Sequence, residues 1–163
     1  MKPALVLAVS IAFLGAATTQ GAPTVQSVEI TEYGIYLIHH LPPSFTAATA
    51  VEPATQVHLI AATNTIPAVV GTTFGCRFRV KGEPDEVPVN LEIVVKHPPF
   101  PRRQGLPVPA DRVPYSAVIG RDGVYTYTFD NAWQAVPGKW SIQVWHDDSK
   151  LAEQNFVAQP KRP

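Results

Sequence analysis

The stretch "TTFGCRFRV", residues 72–80, decides the fold. Phe74, Cys76, Phe78 and Val80 occupy every second position, with Thr73, Gly75, Arg77 and Arg79 between them. Successive side chains of an extended strand point to opposite faces, so this spacing gives one oily face and one polar face: a half-buried strand. The next apolar run repeats the pattern. Val87, Val89, Leu91, Ile93 and Val95 share one face of residues 87–95, opposite Pro88, Asn90, Glu92, Val94 and Lys96. Between the two runs, Gly82-Glu83-Pro84-Asp85-Glu86 has turn chemistry, which predicts that the strands pair near one another.

Further strands are expected at Val25 to Ile38 with an interruption at Gly34, at Gln56 to Ala61, and at Val124 to Phe129 with its Tyr and Thr residues. Near the end, Trp140, Ile142 and Val144 alternate with Ser141, Gln143 and Trp145. In the run Lys150 to Ala158, Leu151 and Phe156 have opposite parity, which signals a bulge. The 17 prolines and 10 glycines are scattered along the chain, and no long stretch beyond the N-terminal segment carries apolar residues at helical spacing. About seven short strands without crossover helices predict an all-β, antiparallel two-sheet sandwich of immunoglobulin-like architecture, with a closed barrel as the competing arrangement. Two stretches resist strand assignment: residues 41–55, rich in Ala, Thr and Pro, and residues 98–114, which carry Arg102, Arg103 and Arg112 among prolines. Both are expected to be long loops.

The 163 residues suit one domain, large enough to be stabilised by packing. Met1-Lys2, the apolar Ala4 to Leu14 and the small Gly15-Ala16-Ala17 have the order of a secretory leader. Residues 1–21 are therefore expected to be removed and residues 22–163 to form a single sandwich domain, periplasmic or secreted. The apolar run is too short for a membrane span. Lys plus Arg and Asp plus Glu both number 13, so no long-range field favours nucleic acid. A single cysteine, Cys76, cannot form a disulfide within the chain.

Taken in order, "VEITEYGIY", "TNTIPAVVGTTFGCRF", "LEIVVKHPPF" and "YTYTFDNAWQAVPGKWSIQVWHDDSKLAEQNFV" resemble the bacterial domain-of-unknown-function family 3859 from about Val28 to Val157. The ending "VPGKWSIQVW…KLAEQNF" is the most specific part. The resemblance implies one exported all-β domain and brings with it no reaction, cofactor or catalytic residue. Where the family pattern commonly has a larger residue, this chain has Cys76.

Few residues invite chemistry. His146-Asp147-Asp148-Ser149 holds metal-ligating groups, yet Asp and Ser next to a strand end are also what a tight hairpin turn requires. His39 and His40 are neighbours on an extended segment, so their rings point to opposite faces and do not readily grip one ion. A copper or zinc carrier would bring together some of His39 or His40, His58, His97 or His146, with Asp147 as a further candidate ligand. Cys76 shares its face with Phe74 and Phe78, which favours core packing over a reactive thiol. No G-x-S-x-G, H-E-x-x-H, Gly-rich phosphate loop or EF-hand run is present.

Trp145 lies out of phase with the core positions, and "KHPPFPRR" combines Lys96, Phe100, Arg102 and Arg103 with extended prolines. Both suit a partner surface, or the covering of a sheet end. The reading is an exported, non-catalytic binding module without a cofactor, its partner another envelope or secreted protein. A copper/zinc protein and a loop-built hydrolase are the alternatives.

Overall fold

A computed structural model describes residues 22–40, 45–46, 49–50, 55–100 and 110–160. The leader-like residues 1–21, Arg102 and Arg103 lie outside the described residues. In chain order the strands are β1 (Thr24–His40), β2 (Phe45–Thr46), β3 (Thr49–Ala50), β4 (Thr55–Ala61), β5 (Thr65–Pro67) and β6 (Thr73–Glu83). They continue with β7 (Pro88–Lys96), β8 (Ala110–Val118), β9 (Asp122–Thr128), β10 (Gly138–His146) and β11 (Ser149–Gln159). Nine of them form two sheets, β4-β1-β6-β9 and β5-β11-β10-β7-β8, and β2 and β3 pair separately. The chain is an all-β sandwich.

The alternation read from β6 and β7 builds the layer between the sheets. Phe74, Cys76, Phe78 and Val80 of β6 are fully buried, as are Ile93 and Val95 of β7, Ile142 and Val144 of β10, and Trp140 to within 1 %. Rings interlock across that layer. Phe74 of the first sheet meets Trp140 at 5.7 Å and Phe156 at 5.1 Å from the second, and Phe129 at 5.3 Å. Each fully buried side chain of this kind contributes on the order of 1.5–3 kcal/mol, so this layer carries the stability that no disulfide supplies. Trp140 also donates its indole N–H to the Val136 carbonyl at 3.0 Å, which satisfies its only polar atom.

Several local expectations are corrected. β6 and β7 do not pair: β6 lies between β1 and β9, while β7 lies between β10 and β8 in the other sheet. Periodicity reveals which face is oily but not which strand bonds alongside. The connection after β6 is an inter-sheet corner, tied by the second corner that follows β8. Gly120 N–H reaches the Val80 carbonyl at 2.9 Å, Ile119 N–H the Val87 carbonyl at 3.0 Å, and Glu86 N–H the Ile119 carbonyl at 3.1 Å.

The loop expectation over 98–114 does not hold for its last part, because Ala110 to Pro114 belong to β8 and pair with Lys96 to Glu92, while residues 101–109 lie outside the described residues. Among the described residues β8 is an edge strand, where Pro114 does not need the N–H it lacks. The loop expected over 41–55 likewise contains the β2–β3 pair and the first residue of β4. β5 was too short to show a period, and it adds a parallel pairing with the end of β11 to an otherwise antiparallel assembly.

β1 runs through Gly34 without a break. Its first part bonds β6, and from Ile35 onward it bonds β4 on its other edge. Gly34 has φ +149°, and a Cβ there would lie 1.9 Å from the Ala61 carbonyl oxygen. Its register partner Gly75 would place a Cβ 2.1 Å from the Tyr125 carbonyl oxygen. The glycine pair thus permits close backbone approach on both sides of the β1–β6 seam.

Candidate functional site

The tip of the β10–β11 hairpin and the outer face of the second sheet form a cleft of about 600 Å³. It is lined by Asn90, Leu91 and Glu92 of β7, Arg112 of β8, Trp145 of β10, and Asp147 and Asp148 of the turn. Strand parity puts these groups together. Because Ile142 and Val144 point into the core, Gln143 and Trp145 point outward; Trp145 pairs with Glu92, and Gln143 with Val94. Arg112 pairs with Val94 on the other side of β7, within reach of Glu92, to which it is bonded in an ion pair.

The turn is the tight hairpin that its residues suggest. His146 pairs with Ser149, leaving Asp147 and Asp148 at the tip, and Asp147 has a left-handed φ of 50°. Aspartate tolerates that conformation better than most residues because its short polar side chain bonds nearby backbone. His146 clips the turn to the next strand. Its Nδ1 lies 3.1 Å from the Asn90 carbonyl, which only accepts, so Nδ1–H is the donor. The bulge signalled by Leu151 and Phe156 is present: the register shifts between Val144 and Trp145, so that Val144 faces Ala152 and Trp145 faces Lys150.

Behind the cleft runs a chain of polar side chains. Trp145 Nε1–H donates to Gln143 Oε1 at 2.9 Å, Gln143 Nε2 donates to Glu153 Oε1 at 2.8 Å, and Lys150 bonds the other Glu153 oxygen. Gln143 is only 1 % exposed although it points away from the apolar layer. Donation from Lys150 first, then from Gln143, lowers the Glu153 carboxyl to about 2. With both ends of the Gln143 amide engaged, the indole is held with its N–H turned away from solvent.

Other candidate residues are dispersed. His39 of β1 and His58 of β4 meet ring edge to face at 5.8 Å. The side chain of His40 lies outside the description. His97 continues the inward parity of β7 past Val95. Its side chain is fully buried and stacked on Phe100 at 3.9 Å; Nδ1–H donates to the Pro98 carbonyl at 2.8 Å, and Nε2 lies 3.6 Å from Asp111. Among the described residues no group of three His, Cys, Asp or Glu side chains is placed to hold a metal ion, which leaves the copper/zinc reading without a site there.

Phe100 closes one end of the sandwich against His97, Trp133 and Trp140, and Lys96 stays exposed at the end of β7. Cys76 is fully buried, and burial pushes its thiol up to about 12. Among the described residues no helix is long and apolar enough to cross a membrane.

Trp145 and Asp147 were legible as candidates. Glu92 and Arg112 were not, although the outward parity of β7 was a signal for Glu92. Arg112 sat in a proline-rich stretch that concealed its strand.

Two stacked sheets, β4-β1-β6-β9 and β5-β11-β10-β7-β8, define a β-sandwich domain. Among solved structures, the chain is similar to an immunoglobulin-like protein of Pseudomonas aeruginosa, with 26 % identity and a TM-score of 0.55 over 82 % of this chain and 98 % of that one. The family model described as a domain of unknown function (DUF3859) matches residues 24–158, and the chain belongs to that family. A comparison with curated proteins finds no match.

Proposed function

We propose that the chain is an exported, non-catalytic binding module that holds another envelope or secreted protein at the Trp145 cleft. One observation carries the reading. The cleft draws its walls from three strands and a hairpin turn, and bonds within and beside it hold those walls in place: Glu92 to Arg112, the Trp145 N–H to the neighbouring Gln143, and His146 of the turn to the Asn90 carbonyl. Such bonds fix a shape. None of them pairs a side-chain nucleophile with a general base. The volume lies within the 300–1,000 Å³ range of ligand pockets, and a half-buried tryptophan is a common anchor in protein interfaces. Export rests on the leader-like order of residues 1–21.

The test is affinity capture from envelope extract with the mature protein and with Trp145→Ala, each checked for folding by circular dichroism. Loss of a specific co-purifying protein with the variant is the expected result. Identical recovery by both proteins overturns the assignment to this cleft.

A further inference from the structure

The cleft has a definite electrical character. Three carboxylates, Glu92, Asp147 and Asp148, line it against one guanidinium, Arg112, and that guanidinium is already paired with Glu92. The side chain of Asp147 is 89 % exposed at the turn tip, so its charge faces incoming solutes. The remaining wall is aromatic. Because the Trp145 N–H is bonded to Gln143, the indole contributes ring carbon to the cleft instead of a hydrogen-bond donor. An aromatic wall beside Asp148 and Asp147, the latter 3.7 Å from His146 Nε2, attracts a cation, whereas an anion meets no guanidinium among the described lining residues that is not already paired.

From this charge complementarity we infer that the cleft receives a basic side chain, arginine or lysine, from an extended segment of the protein partner. The aliphatic stem lies along Trp145 and the charged head reaches Asp147 and Asp148. The inference rests on the binding-module reading and names the chemistry of its ligand. The carboxylates are exposed, so each contact is weak and screened by salt, and affinity for a short segment is expected in the high-micromolar to millimolar range.

The probe is an acetylated, amidated Gly-Arg-Gly-Arg-Gly peptide titrated into isotopically labelled mature protein, with Gly-Glu-Gly-Glu-Gly and Gly-Ser-Gly-Ser-Gly as controls. Saturable shifts of the Trp145 indole N–H and of the amides of Asn90 to Glu92 and Trp145 to Asp148 are expected with the arginine peptide alone. Raising salt from about 50 to 300 mM weakens them several-fold. The double variant Asp147→Asn/Asp148→Asn weakens binding at least about fivefold; asparagine also tolerates the left-handed conformation at 147, so the turn is kept.

No shift with the arginine peptide, equal shifts with the controls, or shifts outside the cleft overturn the inference. If envelope capture still depends on Trp145 in that case, the binding-module reading stands and only the basic ligand is refuted. If capture is also independent of Trp145, both fall.

Discussion

Replacing Phe74 by alanine removes the ring that joins the two sheets. Phe74 is fully buried, with ring centres of Phe156, Phe129, Trp140 and Tyr127 at 5.1, 5.3, 5.7 and 5.8 Å. Truncation of a buried phenylalanine costs about 3–5 kcal/mol, made up of lost transfer free energy and the cavity left behind. Here the upper part of the range is expected, because the four neighbours belong to separate strands and connections and cannot all collapse inward. At roughly 3 °C per kcal/mol for a domain of this size, the midpoint of thermal unfolding falls by roughly 10–15 °C. Urea denaturation followed by circular dichroism measures the loss as a lower midpoint at unchanged slope. The milder Phe74→Leu, expected to cost about 1–2 kcal/mol, supplies a measurement if the alanine variant does not fold. A loss below about 1 kcal/mol for Phe74→Ala would refute the claim that this layer holds the sandwich together.

Gly34→Ala forces a Cβ against the Ala61 carbonyl and is expected to destabilise by more than about 2 kcal/mol, whereas Gly71→Ala has open space around it and carries only the backbone strain of its φ of +88°, about 1 kcal/mol; parallel melts compare them. The Cys76 thiol, buried and pushed up to about 12, is expected to resist a thiol reagent at pH 8 until the protein is unfolded; stoichiometric reaction of the native protein would contradict its placement. Glu153, with its folded-state value depressed to about 2, contributes stability that is fully present above the ordinary glutamate value of about 4.5 and is lost as pH falls through about 2. After allowance for solvent screening that contribution is about 1 kcal/mol, and Glu153→Gln should flatten the acid limb of the stability profile between those two values.

The reach of sequence reasoning here follows from what alternation encodes. Each inward residue of β6 and β7 was readable from period alone, because a strand's pleat is local and fixes the face of every side chain. Trp140 was assigned to the core and Trp145 to the outer face for the same reason, and the hairpin at Asp147-Asp148 was readable from turn chemistry. The buried His97 was also within reach, one step beyond Val95 in the same parity.

Strand neighbours were not readable in this way. Whether β7 bonds β6 or crosses to the other sheet depends on backbone pairings between residues distant in sequence, and both arrangements bury the same oily faces. The proline at 114 marked a loop by propensity, but on an edge strand the missing N–H costs nothing, so tertiary position overrode the local signal.

The sequence by itself determined an all-β chain with a defined inner face, a single unpaired cysteine in that face, and a polar turn next to an outward tryptophan. Only the tertiary structure set Glu92 and Arg112 beside that tryptophan and turned its N–H inward to Gln143. A cleft is a property of three strands brought side by side, and the free energy that orders them is spread over the whole apolar layer instead of being written in any one segment.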